Sequence, residues 1–131
     1  YNSTKEVKKM AWELKSDRPI YSQLMEYIKI SIVSGKYKPG AKMPSVRELA
    51  SEASVNPNTM QKALTELERS GLLFSVRTSG RFITEDSKMI EEMKCNLAKE
   101  EIQAFLKKME EIGFTKEEAI ETIKEIAEEM K

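Results

Sequence analysis

The residues with the greatest potential for chemistry lie in one short stretch, "NPNTMQK", which runs from residue 56 to residue 62. If it is helical, Asn58, Gln61 and Lys62 point outward, with Thr59 on the first turn beside them. Asparagine and glutamine amides can pair bidentately with adenine, and a threonine methyl group can contact thymine. The stretch therefore predicts a helix able to read base edges in a DNA major groove, although an ordinary exposed polar helix gives the same pattern.

Three arginines accompany this stretch at separate places in the sequence. Arg47 precedes it, and Arg77 and Arg81 stand at the two shoulders of a later segment, "RTSG". Arg47 fits a phosphate or guanine contact, and the other two fit a wing in the adjacent minor groove, where arginine is favoured. The alternative is solvation or, for Arg47, a surface ion pair with Glu48 or Glu52. Three arginines predicted to lie on one face favour a DNA-contacting surface.

Composition excludes the histidine-dependent kinds of catalysis. The chain contains no histidine, which excludes Ser-His-Asp and Cys-His catalysis and removes the commonest metal ligand. The single cysteine, Cys95, excludes an intrachain disulfide and a cysteine-based zinc site. No motif indicates an enzyme built from carboxylates and lysines, and no cofactor is expected. The lack of a long apolar segment and of a signal peptide favours the cytoplasm, without membrane contact.

Three helices are predicted to position the polar stretch. The first spans Ile20 to Ser34, because apolar residues recur in it every four positions. The second follows a capping box made by Ser45 and Glu48. In the third, Asn56 is the N-cap and Pro57 takes the first helical position, where its missing N–H costs nothing. The predicted core residues of this third helix are Met60, Ala63, Leu64 and Leu67.

Two short strands are predicted after the third helix. "LLFSV" at 72–76 and "RFIT" at 81–84 have strand composition, and "RTSG" joins them as a turn. Only about three residues separate the second and third helices, which is typical of a helix-turn-helix. The predicted fold class is therefore mainly α with a small β-hairpin wing (α+β), a winged helix-turn-helix followed by a two-helix C-terminal hairpin.

Charge divides the chain into segments, although its net charge is zero. Residues 18–84 carry ten Lys and Arg against five Glu, a balance of +5, whereas residues 85–131 carry eight Lys against fourteen acids, a balance of −6. We interpret the basic segment as a module that binds a polyanion; the alternative is a chance distribution of charge over a solvated surface. We expect a partly ordered extension in 1–17, where Met10 could be the natural start, a winged helix DNA-binding domain in 18–84, and a helical dimerisation module in 85–131.

The acidic segment is predicted to form two helices joined near Gly113, the second with a capping box made by Thr115 and Glu118. The apolar stripe of the first helix is broader than one partner helix requires, which favours dimerisation; folding of both stripes back onto the winged helix is the alternative. Two helices can hardly enclose a pocket in one chain, so a small-molecule effector, if there is one, would bind at the dimer interface. The predicted dimerisation residues are Ile90, Met93, Leu97, Ile102, Phe105, Met109, Ile120, Ile123 and Ile126.

Residues 18–84 resemble the winged helix of the GntR family of bacterial transcription regulators. The short helical tail is similar to that of the YtrA subfamily, in which such a module mediates dimerisation. The matching motifs are PIY-x-QL from Pro19, a glycine- and proline-containing run from Gly35 to Ser45, RELA from Arg47, V-N-x-N-T from Val55, L-x-x-L-E-x-x-G from Leu64, and the wing glycine Gly80.

The resemblance implies a homodimer on an inverted-repeat operator in double-stranded DNA, usually a repressor, with autoregulation and control of neighbouring transporter genes. It implies contacts from Arg47, from the start of the third helix and from the wing. Other GntR branches carry arginines where this chain has Pro57 and Gln61, so their operator sequence is not expected here. The predicted DNA-contacting residues are Ser45, Arg47, Asn56, Asn58, Thr59, Gln61, Lys62, Arg77, Thr78, Ser79, Gly80 and Arg81.

Two other functions remain compatible with a winged helix. The first is a protein-interaction module without specific DNA binding, in which the acidic tail is the main surface; the basic balance of residues 18–84 argues against it. The second is an enzyme, because one GntR branch carries an aminotransferase-like domain after its winged helix. Such a domain needs several hundred further residues, so enzymatic activity is not expected.

Overall fold

The computed structural model describes residues 12–131, and the residues before Trp12, Met10 among them, lie outside the described part. Inter-residue contacts divide the chain into two compact units, one ending at Glu91 and the other beginning at Glu92. The predicted fold class is confirmed, since three helices precede a two-stranded antiparallel hairpin and two helices follow it. The elements are α1 (Ile20–Val33), α2 (Val46–Ala53), α3 (Pro57–Arg69), β1 (Leu73–Val76), β2 (Gly80–Ile83), α4 (Ser87–Ile112) and α5 (Lys116–Glu129).

Helix α1 buries one apolar face. Leu24, Ile28 and Ile32 are buried at intervals of four residues, as the spacing predicts, and α1 packs against α3. Pro19 is the N-cap, and the helix ends at Val33, one residue before the predicted end. The first helix thereby provides the surface on which α3 is held.

Helix α2 begins with the predicted capping box. The Ser45 hydroxyl accepts a hydrogen bond from the Glu48 N–H at 3.2 Å, and the Glu48 carboxylate accepts one from the Ser45 N–H at 3.1 Å. The hydrogen bonds from Ser45, the backbone one first, hold the pKa of Glu48 below its ordinary value. At the other end Ser54 is left-handed, with a φ of 57°. The Val55 N–H then donates to the Ala50 carbonyl at 3.0 Å, and this turns the chain toward α3.

Helix α3 begins where the sequence predicts. The Asn56 side-chain oxygen accepts a hydrogen bond from the Asn58 N–H at 2.7 Å, and Pro57 is the first helical residue. The proline therefore starts the helix without the loss of a hydrogen bond. The helix packs against α1, α2 and β1. Its buried residues are the four that the apolar spacing predicts, Met60, Ala63, Leu64 and Leu67.

The hairpin pairs β1 with β2 in antiparallel register, with Val76 opposite Gly80 at the turn. Each strand lies within one residue of its predicted bounds. Lys42 also pairs with the hairpin through a β-bridge to Phe82, and the sequence does not predict this contact. The chain just before α2 is thereby hydrogen-bonded to β2, which holds the wing beside the start of α2.

The segment before α1 is attached to that helix by contacts that the sequence does not signal. The Trp12 ring stacks on the Tyr27 ring, with centroids 4.3 Å apart. The Gln23 side chain accepts a hydrogen bond from the Lys15 N–H at 2.7 Å and donates one to the Lys15 carbonyl at 2.6 Å. Because Gln23 is buried, these bonds satisfy its amide and fix the segment at the same time.

The C-terminal unit contains most of α4 and all of α5. The predicted capping box of α5 is present, since the Thr115 hydroxyl accepts from the Glu118 N–H at 3.1 Å and the Glu118 carboxylate accepts from the Thr115 N–H at 2.9 Å. No residue of α4 is buried, and Ala119 is the one buried residue of α5. Within residues 12–131, no helix is long and apolar enough to cross a membrane.

Candidate nucleic-acid interface

The start of α3 presents the polar side chains that are expected to read bases. The cap made by Asn56 fixes the first helical turn, and Asn58 and Gln61 lie exposed on the first two turns. The Gln61 amide donates to the Thr65 hydroxyl at 3.3 Å on the same exposed face, and Thr59 is half-exposed. An amide side chain donates and accepts hydrogen bonds together, which is what the major-groove edge of adenine requires.

Arg47 is exposed in the first turn of α2. The sequence offers Glu48 and Glu52 as surface partners, yet Arg47 forms no ion pair with any residue between 12 and 131. Glu48 is used instead by the capping box with Ser45. The guanidinium is therefore unpaired within these residues, which leaves it available for a phosphate or guanine contact.

The tip of the wing requires glycine at position 80. Gly80 has a φ of 110°, and a Cβ there would lie 3.2 Å from the Lys42 side chain. Thr78 also has a positive φ, 68°, which is rare for a β-branched residue and indicates a strained turn. The Ser79 N–H closes the turn onto β1 with a hydrogen bond of 2.9 Å. Arg77 is exposed at the start of this turn, so the tip presents the charge of Arg77 and the backbone of the turn to solvent.

An open groove of about 550 Å³ lies between the wing and the start of α2. Lys42 is one of the residues that line this groove, and it was not among the predicted DNA-contacting residues. The positive charge of the connector before α2 was the signal that could have indicated it. Arg47 lies in a neighbouring depression, and the exposed residues of α3 do not line the groove. The predicted DNA-contacting residues that the groove brings together are Ser45, Thr78, Ser79, Gly80 and Arg81.

Arg81 has a partner inside the winged helix. Its Nε lies 2.9 Å from a carboxylate oxygen of Glu68 on α3, and the same oxygen accepts a hydrogen bond from the Ser75 hydroxyl at 2.8 Å. The hydrogen bonds from Arg81 and then Ser75 hold the pKa of Glu68 below its ordinary value. The three residues tie both strands of the wing to α3. Arg81 is thus the one arginine of the predicted set whose charge is already paired within residues 12–131.

Lys62 meets an aromatic ring on the exposed side of α3. Its ammonium nitrogen lies 4.0 Å from the centroid of the Tyr21 ring, which belongs to the first turn of α1. This distance is that of a cation–π interaction. The helical spacing predicts that Lys62 is exposed, but it does not predict Tyr21, because the two residues belong to different helices.

Comparisons with known proteins place this geometry in a family. The model for bacterial regulatory proteins of the gntR family matches residues 20–83. The HTH-type transcriptional regulator YhcF of Bacillus subtilis is 41% identical over 88% of this chain and 96% of its own length. The HTH-type transcriptional repressor YtrA of the same organism is 39% identical over 89% of this chain and 91% of its own length.

Solved structures give the same result for the fold. A GntR family transcriptional regulator from Listeria monocytogenes superposes with a TM-score of 0.79 at 39% identity, covering 86% of this chain and 98% of its own. The DNA-binding domain of AraR, solved in complex with an operator, has a TM-score of 0.52 at 32% identity, covering 55% of this chain and 93% of its own. YhcF, YtrA and the Listeria protein are named as transcriptional regulators or repressors. The chain belongs to the GntR family of DNA-binding transcription regulators, as the sequence motifs predict.

Proposed function

We propose that the chain represses transcription as a homodimer bound to an inverted-repeat operator. The observation that carries this proposal is the start of α3, where Asn56 and Pro57 fix the first turn and leave Asn58 and Gln61 exposed. In a helix-turn-helix, this end of the second helix of the motif meets the base edges. The exposed Arg47, which forms no ion pair within residues 12–131, lies on the preceding helix and supports the same orientation.

The proposed contacts divide into two kinds. Asn58, Thr59 and Gln61 select bases, because amide and methyl groups can discriminate between base edges. Arg47 and Arg77 hold the DNA backbone, since both are exposed and neither forms an ion pair within the described residues. Backbone contacts position a protein on DNA and carry no sequence information of their own.

Dimerisation is proposed through the tail formed by α4 and α5. Ile120, Ile123 and Ile126 follow one face of α5 and are 46%, 41% and 49% exposed in the single chain. Contiguous apolar surface of this kind marks an interaction site. A second copy is the occupant that an inverted repeat requires, because two half-sites need two recognition helices at a fixed spacing.

Repression is proposed because the relative YtrA, which the chain matches along most of its length, is a transcriptional repressor. The family resemblance further implies an operator close to the regulator's own gene and to transporter genes. Selection of bound fragments from the source genome tests both statements together. Recovery of palindromic fragments upstream of this gene is the expected result.

The direct test measures fluorescence anisotropy of a selected operator across a range of salt concentrations. Arg47→Ala should weaken binding to all sequences and reduce the slope of log affinity against log salt by about 0.9, the value for one phosphate contact. Asn58→Ala and Gln61→Ala should change which bases are preferred, at a cost of about 1–3 kcal/mol for the original site. Lys38→Met, in the connector before α2, removes a comparable charge outside the predicted set and serves as the control.

Two outcomes would contradict this proposal. If Arg47→Ala and Asn58→Ala both bind like the wild type, the docking of the winged helix is wrong. If the selection yields no palindrome and all fragments bind equally at low salt, the protein-interaction alternative is favoured instead.

A further inference from the structure

The side chain of Lys62 is held in a way that differs from every arginine of the predicted interface. It lies over the Tyr21 ring at 4.0 Å, and it forms no ion pair with an acidic residue between 12 and 131. A carboxylate that orients a cation also neutralises it, as Glu68 does for Arg81. An aromatic ring orients a cation and leaves its net charge intact.

We infer that Tyr21 is a positioning residue of the DNA interface, whose ring holds the Lys62 ammonium in place for contact with a backbone phosphate. The inference rests on the proposed DNA binding and names a residue outside the set predicted from the sequence.

The chemistry of the ammonium group permits both contacts together. An ammonium carries three N–H donors, so the ring can occupy one side while another donor reaches a phosphate oxygen. A free lysine side chain has several rotatable bonds and loses their entropy when it binds. The half-buried Tyr21 ring lies in the first turn of α1, which packs against α3, and its contact with Lys62 restricts that side chain before DNA arrives.

The ring and the hydroxyl of Tyr21 can be separated experimentally. Tyr21→Phe keeps the aromatic face, whereas Tyr21→Leu removes it. Operator affinity and its salt dependence are measured by anisotropy for both variants, for Lys62→Met, and for the double variant Tyr21→Leu with Lys62→Met. Thermal unfolding of each variant establishes that the protein is folded at the assay temperature.

The expected pattern is specific to positioning. Lys62→Met should reduce the salt slope by about 0.9. Tyr21→Leu should weaken binding by about two- to tenfold, the cost of ordering one free lysine side chain on binding, while Tyr21→Phe binds like the wild type. The double variant should bind no more weakly than Lys62→Met alone, because the ring acts only through the lysine.

A matched control exists in the connector before α2. Lys36 lies 5.7 Å from the centroid of the Tyr37 ring, outside the predicted interface, so Lys36→Met removes a similar lysine without an expected change in salt slope. The inference is overturned if Tyr21→Leu has no effect, if its effect multiplies with that of Lys62→Met, or if Tyr21→Phe is as weak as Tyr21→Leu. If wild type itself shows no operator preference and Arg47→Ala changes nothing, the proposed function fails as well.

Discussion

The two compact units of the chain differ in how far their apolar side chains are buried. In the unit that ends at Glu91, α1 and α3 each bury an apolar face, with Leu24 and Met60 fully inaccessible, although Ile30 of α1 is 49% exposed. In the unit that begins at Glu92, Ile102 is 55% exposed and Ile112 is 61% exposed. The first unit therefore supplies its own core, whereas the apolar stripes of the second can be covered only by another surface.

Local helix signals do not cause this difference. Ser45 with Glu48 in the first unit and Thr115 with Glu118 in the second form the same capping box with closely similar distances. One helix of each unit, α2 and α5, therefore begins with the same local signal. Because most helical stability in proteins comes from the packing of an apolar face, the second unit is the one that gains from a partner.

The largest predicted effect comes from placing charge on the exposed stripe of α5. The double variant Ile120→Glu with Ile123→Glu should be monomeric, because two carboxylates in an apolar interface lose their hydration without a partner. Operator affinity should fall by about 10²- to 10⁴-fold, since the gain from two linked half-sites is lost. Analytical ultracentrifugation gives the oligomeric state, and anisotropy gives the affinity.

The control for that variant is Glu125→Ala, on the polar side of α5, which should leave both measurements unchanged. Circular dichroism should show that the double variant keeps its winged helix. A fully dimeric double variant with normal affinity would mean that the exposed stripe is not the dimer interface.

The second prediction concerns the core of the first unit. Leu64 on α3 is 1% exposed, so Leu64→Ala should lower the free energy of unfolding by about 2–5 kcal/mol through lost burial and a residual cavity. Thr65→Ala, at the exposed neighbour, should change it by less than about 0.5 kcal/mol. Urea denaturation at several protein concentrations makes the measurement. The effect of Leu64→Ala should not depend on protein concentration, because this core lies within one chain, whereas the effect of an α5 stripe variant should. The reverse dependence on concentration would contradict the contrast between the units.

Much of the fold was predictable because the signals are local. The cap at Asn56, the proline start of α3 and the two capping boxes depend on residues at most three positions apart. The buried set of α3 follows from helical periodicity within that helix. Strand β2 begins at Gly80, one residue before its predicted start, because the ladder includes this glycine at the turn, which strand propensity disfavours.

The contacts that the sequence did not reveal join residues from different elements. Glu68 and Arg81 are thirteen positions apart, and the pairing of Lys62 with Tyr21 joins α3 to α1. The bridge between Lys42 and Phe82 likewise depends on how the chain before α2 returns to the wing. Such pairs follow from the packed arrangement of elements, and periodicity in one segment does not specify them.

The third prediction compares one carboxylate in each unit by the effect of its removal on stability at different pH values and on operator affinity. Arg81 and Ser75 hold the pKa of Glu68 below its usual value of 4.5, so the folded state binds this proton less readily than the unfolded state. The stabilisation is complete above about pH 4.5 and is lost as pH falls through the lowered pKa. Glu68→Gln should therefore cost less than about 1 kcal/mol at pH 7, as expected for a partly exposed pair, and progressively less as the pH falls below 4.5.

Thermal unfolding between pH 7 and pH 3 measures this difference. The comparison variant is Glu118→Gln in the second unit, where the hydrogen bonds of Thr115 lower the pKa of Glu118. Glu118 caps its own helix, whereas Glu68 joins α3 to both strands. A loss of operator affinity in Glu68→Gln, and none in Glu118→Gln, is expected; equal effects on affinity would contradict a role for Glu68 in holding the wing.

The smallest predicted effect concerns how the two units form a left-handed turn after a helix. The residue that follows α4 is Gly113, with a φ of 107°, whereas the residue that follows α2 is Ser54, with a φ of 57°. Because a side chain is disfavoured in this conformation, Ser54→Gly should raise the free energy of unfolding by about 0.5 kcal/mol. Ser51→Gly, the same substitution inside α2, should lower it by up to about 1 kcal/mol. Urea denaturation of both variants provides the measurement. If the two variants change the free energy of unfolding with opposite signs, the backbone conformation of Ser54 is the source of the cost. If both variants lower it equally, contacts of the Ser54 side chain stabilise the turn by more than its conformation costs.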